Sequence, residues 1–377
     1  TSELNTIQAG IEANGASGAL TYTKLTGTAT SLAANTDDII DGVAVTVDES
    51  GAASTYATVD QINTLTTRVA AVSNASLSYE KLNDSATNLA AGDTSYLAGI
   101  AITIDDTNNA AATATELNTI QTKMGQSGSV SYTKLKDSAS NLVTNSADIV
   151  GGVAVTIDET GQNTPANTTQ INSLQSAVSS AGNGASLTYT KVSDTSENLR
   201  ANTGDLEDMT VTVSDSSSAS QYATLISAVT ANGATGTVAG AVVDSVSNLA
   251  NVTLTNATSV TVELTENDAD LTNNVSLDSE VTTIDLKGQT AIFNIADVQG
   301  RTVTDSTGGG SYVIYDTAAN IITAGGVTNN VADSVAAFKA LYGATEIRAY
   351  EWTTNNGNAD LSTVGVGVAA VQNLSLI

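Results

Sequence analysis

The chain lacks the side chains on which most catalytic and metal-binding sites depend. Its 377 residues include no cysteine and no histidine. Without cysteine there is no disulfide bond and no thiolate ligand for a metal. Without histidine the usual general base and the usual zinc ligand are missing. A serine nucleophile would have only lysine or a carboxylate as its base. No nucleophile-elbow sequence, phosphate-binding loop or zinc-binding helix is present. We therefore expect that the protein is not an enzyme.

Basic and aromatic residues are also scarce. Twelve lysine and arginine residues stand against 39 aspartate and glutamate residues, so the formal net charge is −27. Binding to nucleic acid and adsorption to anionic membranes both need basic side chains, so neither partner is expected. Aromatic residues make up 4 % of the chain. That is little for a conventional globular core, but alanine, valine, isoleucine and leucine can build thin repetitive layers.

Long hydrophobic runs are missing as well, and without a run of about 18 apolar residues the sequence predicts no membrane insertion. Only 14 % of the residues are charged, so threonine, serine, asparagine and glutamine must cover much of the surface. Such a surface is common on secreted proteins, which predicts an extracellular location. No signal peptide opens the chain. The first residues match a segment that begins at Ala114, so we expect a chain that was processed or that is a piece of a longer protein.

What the chain has instead is a repeat. Its marker is a tyrosine in segments such as TYTKL, and successive markers are 57, 53 and 57 residues apart. A fixed period of this kind is the signature of a repeat architecture. The markers are Tyr22, Tyr79, Tyr132 and Tyr189.

Each repeat is predicted to contain a strand, a short helix, a second strand and a longer helix. The first strand is ALTYTKL, which begins at Ala19. The core faces are predicted to be Val43, Val45 and Val47 on the second strand and Ile62, Leu65, Val69 and Val72 on the longer helix. In the third repeat the short helix is predicted from the spacing of Leu135, Ala139, Leu142 and Ile149. The predicted N-caps of the short helices are Asp84, Asp137 and Asp194.

The order of these elements predicts the fold class. Strands joined by long connections usually pair in parallel. A unit of about 55 residues with few large apolar side chains is marginal alone, so neighbouring units are expected to stack. The prediction is an α/β repeat array: a β/α solenoid of strand-helix-strand-helix units, followed by a β-rich C-terminal portion. The alternative is a string of separate small α/β domains. The predicted boundaries are a partial repeat at 1–19, four to five repeats at 20–250, a β-rich solenoid-like or sandwich-like portion at 251–310 and a C-terminal α/β portion at 311–377.

A phrase of the form D-[ST]-[AS]-x-N-[LI] opens the short helices. It reads DSATNL from Asp84 and DSASNL from Asp137, and it recurs with small changes as DTSENL, DSVSNL and DTAANI. Followed by a strand of the VTVTD type, it resembles repeats in very long secreted surface proteins of cyanobacteria and proteobacteria. Those include S-layer-like proteins, RTX-type adhesins and motility-associated surface proteins. The resemblance covers residues 20 to 250, with echoes to 330, and it implies a role in a surface layer, fibre or adhesin stalk. The nonapeptide calcium repeat of RTX proteins is absent.

An acidic pair follows the second strand in the first three repeats and becomes Ser214-Asp215 in the fourth; it is the best chemical candidate. Carboxylates stacked at one rung of an array, with loop carbonyls nearby, could bind calcium through oxygen ligands. The other interpretation is a solvated turn at the strand end, where aspartate is common. The candidate calcium ligands are Asp48, Glu49, Asp105, Asp106, Asp158, Glu159 and Asp215. No other cofactor is expected.

A lysine follows each marker tyrosine, at Lys24, Lys81, Lys134 and Lys191. We predict that each lysine makes one salt bridge to an aspartate, with the tyrosine packed under its aliphatic stem. A basic ladder that binds sugar or a neighbouring subunit is the alternative.

Together these features predict an extracellular structural protein. It would be a building block that associates with itself into a surface layer or filament, or a spacer of a giant surface protein. The alternative is an adhesin or phage-fibre-like module that recognises a glycan or a cell surface through its C-terminal third. Aromatic residues outside the repeat tyrosines concentrate there, at Phe338, Tyr342, Tyr350 and Trp352.

Overall fold

The chain folds into two compact α/β units, Thr1–Tyr189 and Thr190–Ile377. The computed structural model describes residues 2–14, 20–51, 55–107, 111–161, 164–250, 252–266, 277, 279–317, 320, 343–350, 354–355 and 358–359. In this part of the chain, no helix is both long enough and apolar enough to cross a membrane.

Three small sheets of three parallel strands form the first unit. The strands, in chain order, are β1 (Lys24–Gly27), β2 (Ala44–Val47), β3 (Ser76–Ser78), β4 (Lys81–Asp84), β5 (Ala101–Ile104), β6 (Ser129–Ser131), β7 (Lys134–Asp137), β8 (Ala154–Ile157) and β9 (Ser186–Thr188). The sheet orders are β1-β2-β3, β4-β5-β6 and β7-β8-β9. The helices are α1 (Ser2–Ala13), α2 (Ala29–Ala34), α3 (Val59–Ala70), α4 (Ala86–Ala91), α5 (Thr94–Leu97), α6 (Ala114–Met124), α7 (Ala139–Thr144) and α8 (Thr168–Ala181).

The second unit is built on a larger parallel sheet. The strands are β10 (Lys191–Asp194), β11 (Thr210–Ser217), β12 (Thr237–Asp244), β13 (Ala257–Glu263), β14 (Thr283–Asp285), β15 (Thr290–Phe293), β16 (Thr302–Thr304), β17 (Ser311–Thr317), β18 (Glu346–Tyr350), β19 (Thr354–Asn355) and β20 (Asn358–Ala359). The helices are α9 (Ser196–Ala201), α10 (Ala219–Val229), α11 (Val246–Leu249) and α12 (Ile295–Val298). The six-stranded sheet has the order β10-β11-β12-β13-β14-β16, β15-β17-β18 form a second parallel sheet, and β19 and β20 pair antiparallel.

The repeat pattern places the core as predicted on the second strands. In β2 and just before it, Val43, Val45 and Val47 are buried, while Ala44 and Thr46 are more exposed. A strand turns alternate side chains to opposite faces, so this alternation fixes which face of the sheet meets the helices.

The longer helices begin at a capping box. In α3 the Thr58 hydroxyl accepts the N–H of Gln61, and the Gln61 side chain accepts the N–H of Thr58. Ile62 and Leu65 are fully buried on one face of the helix. Val69, which was also predicted on the apolar stripe, is only partly buried, and Val72 lies beyond the end of the helix.

The predicted first strand is wrong in one respect, because the segment around each inner marker tyrosine is two strands in different sheets. The residues before Tyr79 form β3, which pairs with β2, whereas those after Glu80 form β4, which pairs with β5. The chain leaves one sheet at the tyrosine and enters the next two residues later. Each repeat therefore contributes a short third strand that the pattern did not separate.

The predicted short helix is also shorter than its apolar pattern. Leu135, Ala139, Leu142 and Ile149 are all buried. Only Ala139 and Leu142 lie in α7, because Leu135 belongs to β7 and Ile149 follows the 3-10 turn Ser146–Asp148. The helix stops at Asn145, whose side-chain amide donates to the Asn141 carbonyl at 2.8 Å.

The α/β class with parallel strands is confirmed, and part of the C-terminal prediction lies outside the described residues. In the portion predicted to be β-rich, β13, β14 and β16 pair in parallel in the six-stranded sheet. The echo of the repeat that starts at Asp316 continues beyond Asn320 into residues outside the described ranges. Phe338, Tyr342 and Trp352 also lie outside these ranges.

Candidate functional site

The first acid of each predicted pair accepts hydrogen bonds from residues just after it. Asp48 accepts the N–H of Ser50 at 3.0 Å, Asp105 that of Thr107 at 3.0 Å, and Asp158 that of Thr160 at 3.2 Å. Hydrogen bonds from the hydroxyl and the N–H of the residue two positions on hold the pKa of these carboxyls below the usual range. All three carboxylates therefore hold a turn at the end of a second strand.

The second acid reaches a different target, the start of the following repeat. The Glu49 carboxylate accepts the backbone N–H groups of Glu80 at 3.0 Å and of Lys81 at 2.9 Å. In the next copy Asp106 accepts both the N–H and the hydroxyl of Thr133, each at 2.7 Å. A carboxylate from one repeat thus binds the backbone where the chain passes from the marker tyrosine into the next first strand.

The third pair, Asp158 and Glu159, and the single Asp215 complete the set of predicted ligands. The Asp158 carboxylate is also 3.4 Å from the ammonium of Lys136. Glu159 is the next residue and is partly buried. Asp215 accepts the N–H of Ser196, the first residue of α9, at 2.8 Å.

The structure distributes the seven predicted ligands over several strand ends. Among the described residues, no group of three or more aspartate, glutamate, histidine or cysteine side chains is arranged to hold a metal ion. Calcium needs six to eight oxygen ligands, so loop carbonyls, waters or residues outside the described ranges would have to complete any site. Calcium binding at these positions stays a prediction.

The aspartate that opens the repeated phrase has a role that the sequence did not indicate. The prediction that it is the N-cap of the short helix is wrong by one residue, because the next residue caps. Ser85, Ser138 and Thr195 accept the N–H of Asn88, Asn141 and Asn198, respectively. Because the next residue is the N-cap, the aspartate carboxylate can contact other groups.

One carboxylate holds the beginnings of two helices. An oxygen of Asp84 accepts the N–H of Ser85 and the side-chain amide of Asn88, both at 2.8 Å. The other oxygen accepts the N–H of Val59, the first residue of α3, at 3.0 Å. The asparagine of the phrase therefore orients the aspartate, and the aspartate holds the longer helix of the preceding repeat.

The same geometry recurs along both units. Each aspartate accepts the first N–H of a preceding helix and the amide of an asparagine four residues after itself. The recurring sets are Asp137 with Ala114 and Asn141, Asp244 with Ala219 and Asn248, and Asp316 with Ile295 and Asn320. The sequence signal for this contact was the fixed spacing of aspartate and asparagine within the phrase.

Marker tyrosines bind the segment that follows the short helix, which is a 3-10 turn in the first and third repeats and α5 in the second. The hydroxyls of Tyr22 and Tyr132 donate to the carbonyls of Asp38 and Asp148, and that of Tyr79 donates to the Tyr96 carbonyl at 3.1 Å. Burial raises the pKa of Tyr79 and of Tyr132 to about 12. The phenols therefore stay protonated and remain donors at neutral pH.

Two repeat lysines contact groups other than the predicted aspartate carboxylate. The ammonium of Lys81 lies 5.0 Å from the centre of the Tyr56 ring. That of Lys134 donates to the backbone carbonyl of Asp106 at 2.9 Å. Both lysines thus contact the loop that joins the second strand to the longer helix of the preceding repeat.

No family model, curated protein or solved structure matches the chain. The function is therefore inferred from the geometry of the site. Its carboxylates are engaged with backbone N–H groups of neighbouring repeats, and such contacts can fix the relative position of repeats.

Proposed function

We propose that the chain is an extracellular structural protein in which the repeats stack as a β/α solenoid. It serves as a building block of a surface layer or filament, or as a spacer within a giant surface protein. The observation that carries this proposal is the recurrence of one set of contacts between consecutive repeats.

Backbone pairing between repeats supports the stacking. Ala57 forms a parallel bridge with Leu82, and Ala112 forms the same bridge with Leu135. The N–H of Asn83 donates to the Ala57 carbonyl at 2.9 Å, and that of Lys136 donates to the Ala112 carbonyl at the same distance. The segment before each longer helix therefore adds to the first strand of the next sheet, beside the aspartate contact.

These contacts are typical of an array in which each repeat is stabilised by the repeats next to it. Each small sheet has few large side chains, and in repeat proteins the interface between neighbours supplies much of the stability. Threonine, serine and asparagine on the faces can associate through hydrogen bonds, and unpaired strand edges offer a route to pairing with another copy. Self-association is therefore part of the proposal, and the composition supports work outside the cell.

Negative-stain electron microscopy of the purified protein tests the proposal. Sheets or filaments that grow with protein concentration are expected for a building block. Dispersed elongated rods, with a matching length from small-angle X-ray scattering, are expected for a spacer. Compact round particles at every concentration would contradict both forms.

Glycan recognition through the C-terminal third stays a separate prediction. Phe338, Tyr342 and Trp352 lie outside the described residues, and Tyr350 is the last residue of β18. A variant with Trp352→Ala, compared with the unaltered chain on a glycan array, tests it.

A further inference from the structure

The contact between α3 and the following short helix differs from its two counterparts in the first unit. At the first counterpart the side-chain amide of Asn5 donates to Asn35 at 3.3 Å, and at the other that of Asn118 donates to Asn145 at 2.8 Å. These asparagine pairs join a longer helix to the end of the next short helix. In the contact between α3 and α4 the short helix ends at Gly92, which occupies the position of Asn35 and Asn145, so the second asparagine of the pair is missing.

A tyrosine replaces an aspartate at the same contact. The marker tyrosines identify the equivalent positions, because they bind the carbonyls of Asp38, Tyr96 and Asp148. At Asp148 the carboxylate accepts the amide of Gln121 at 3.1 Å. At Tyr96 the side chain turns to the longer helix, and its hydroxyl donates to the Asn63 amide oxygen at 3.1 Å.

These exchanges leave a groove between α3 and the α4–α5 segment. Its volume is about 390 Å³, within the range of about 300–1,000 Å³ that is usual for small-molecule sites. Gly92 packs closely against the floor of the groove, because a Cβ there would lie 3.2 Å from side-chain atoms of both Leu97 and Val59. The polar or aromatic residues that line it are Asp60, Asn63, Asn88, Asp93 and Tyr96.

Hydrogen-bonding capacity in the groove is only partly used. Asn63 accepts from Tyr96 through its oxygen, so its amide N–H₂ group is available as a donor. One oxygen of Asp93 accepts both the N–H and the hydroxyl of Ser95, and the second oxygen is available as an acceptor. Hydrogen bonds from Ser95 hold the pKa of Asp93 below its usual range, so this carboxylate is charged at neutral pH.

We propose that this groove binds a neutral carbohydrate. The partly buried ring of Tyr96 offers a flat face to the C–H groups of a sugar ring. The carboxylates of Asp60 and Asp93 can each accept from neighbouring sugar hydroxyls, and the Asn63 amide can donate to one. Acidic sugars are disfavoured by these two carboxylates and by the net charge of −27.

The test is binding of the full chain to an array of neutral and acidic oligosaccharides. The affinity for the best neutral ligand is then measured by isothermal titration. Tyr96→Asp introduces the residue type that the equivalent positions, Asp38 and Asp148, already have, so the fold should tolerate this variant. It should lower the affinity by roughly tenfold or more, because the stacking face is lost. Asp60→Asn should weaken binding less, since one acceptor and the shape are kept.

The matched control is Asp148→Asn at the equivalent position of the next repeat, which should leave the affinity unchanged. Circular dichroism melting of each variant reports whether the fold is kept. Failure of the unaltered chain to bind any neutral oligosaccharide would overturn the proposal. Equal binding by the Tyr96→Asp variant, or a preference for acidic sugars, would overturn it too.

Discussion

One oxygen of the Asp84 carboxylate accepts the backbone N–H of Val59 at 3.0 Å, across 25 residues of sequence. The first N–H groups of a helix have no partner within the helix, and a negative charge there also interacts favourably with the helix dipole. Asp84 meets both needs for α3 while its other oxygen serves Ser85 and Asn88. The start of one helix and the start of the next are therefore held by a single side chain.

Replacing Asp137 should weaken the start of α6 more than that of α7. Asp137→Ala removes the acceptor of the Ala114 N–H, and we expect a loss of about 1–3 kcal/mol of local stability. Helix α7 keeps its Ser138 cap. The first repeat shows that such a cap suffices, because Gly27 stands in the aspartate position and Thr28 alone caps α2.

Amide hydrogen exchange measures this effect residue by residue. The amide of Ala114 should exchange faster in the variant, while amides in the middle of α7 should change little. Asp105→Ala is the control, because among the described residues this partly buried carboxylate accepts hydrogen bonds only from Thr107 in its own turn. Unchanged protection at Ala114 would show that the Asp137 contact contributes nothing to the helix.

Glu49 should hold the entry to the second sheet. Glu49→Ala removes the acceptor for the N–H groups of Glu80 and Lys81. Both amides should exchange faster, by a factor that corresponds to about 1–3 kcal/mol. The equivalent amide of Thr133, which Asp106 binds in the next repeat, serves as the internal reference. Faster exchange at all three amides would instead indicate a loss of stability spread over the unit.

Periodicity in the sequence predicted the elements but not their connections. The alternation of Val43, Val45 and Val47 is a local property of a strand, so it could be recognised without a structure. The contact from Glu49 to Lys81 depends on how two sheets are placed in space. Local rules favour an aspartate at a helix N-cap, so the sequence predicts that Asp84 caps its own short helix and does not indicate the contact with α3.

The groove beside Tyr96 was missed for a related reason. Tyr96 and Gly92 are visible in the sequence as departures from the other repeats, but Tyr96 lies 17 residues after its marker tyrosine, whereas Asp38 and Asp148 lie 16 residues after theirs, so the sequence alone does not align these positions. Only the tyrosine contacts with Asp38, Tyr96 and Asp148 establish which residues are equivalent. The sequence signal for the groove is therefore the tyrosine at position 96 and the glycine at position 92, where the third repeat has Asp148 and Asn145.

Calcium, if it is coordinated by the acidic pairs, should raise the melting temperature with a saturable dependence on its concentration. Sodium chloride at equal ionic strength should not reproduce the rise, because screening differs from coordination. Asp105→Asn with Asp106→Asn should reduce the calcium-dependent shift. Since Asp106 also binds Thr133, the comparison must be the shift and not the absolute melting temperature.

Asp60→Asn is the control for calcium, because it removes a carboxylate that belongs to none of the pairs. If a chelator does not change the melting temperature, or if sodium chloride raises it as much as calcium does, the pairs do not bind calcium. They then serve only in turns and in contacts between repeats.

Asp297 should make the second unit less stable as the pH rises from 4 to 6. Burial raises the pKa of Asp297 from 3.8 to about 6, although the N–H of Asn294 and the charge of Arg301 act in the opposite direction. The folded state therefore binds this proton more tightly than the unfolded state. Its contribution to stability is fully present below pH 4 and is lost as the pH rises through 6.

Asp297→Asn keeps an oxygen that can accept the N–H of Asn294, as the carboxylate does at 3.1 Å, and it removes the charge. Relative to the unaltered chain, the variant should gain on the order of 1–2 kcal/mol at pH 7 and little at pH 4. Urea unfolding at several pH values, followed by a probe in the second unit, measures this difference. Other carboxylates, such as Asp285 and Asp305 with lowered pKa values, contribute the opposite slope in both proteins and cancel in the comparison. A gain that is the same at pH 4 and pH 7 would mean that Asp297 does not titrate in this interval.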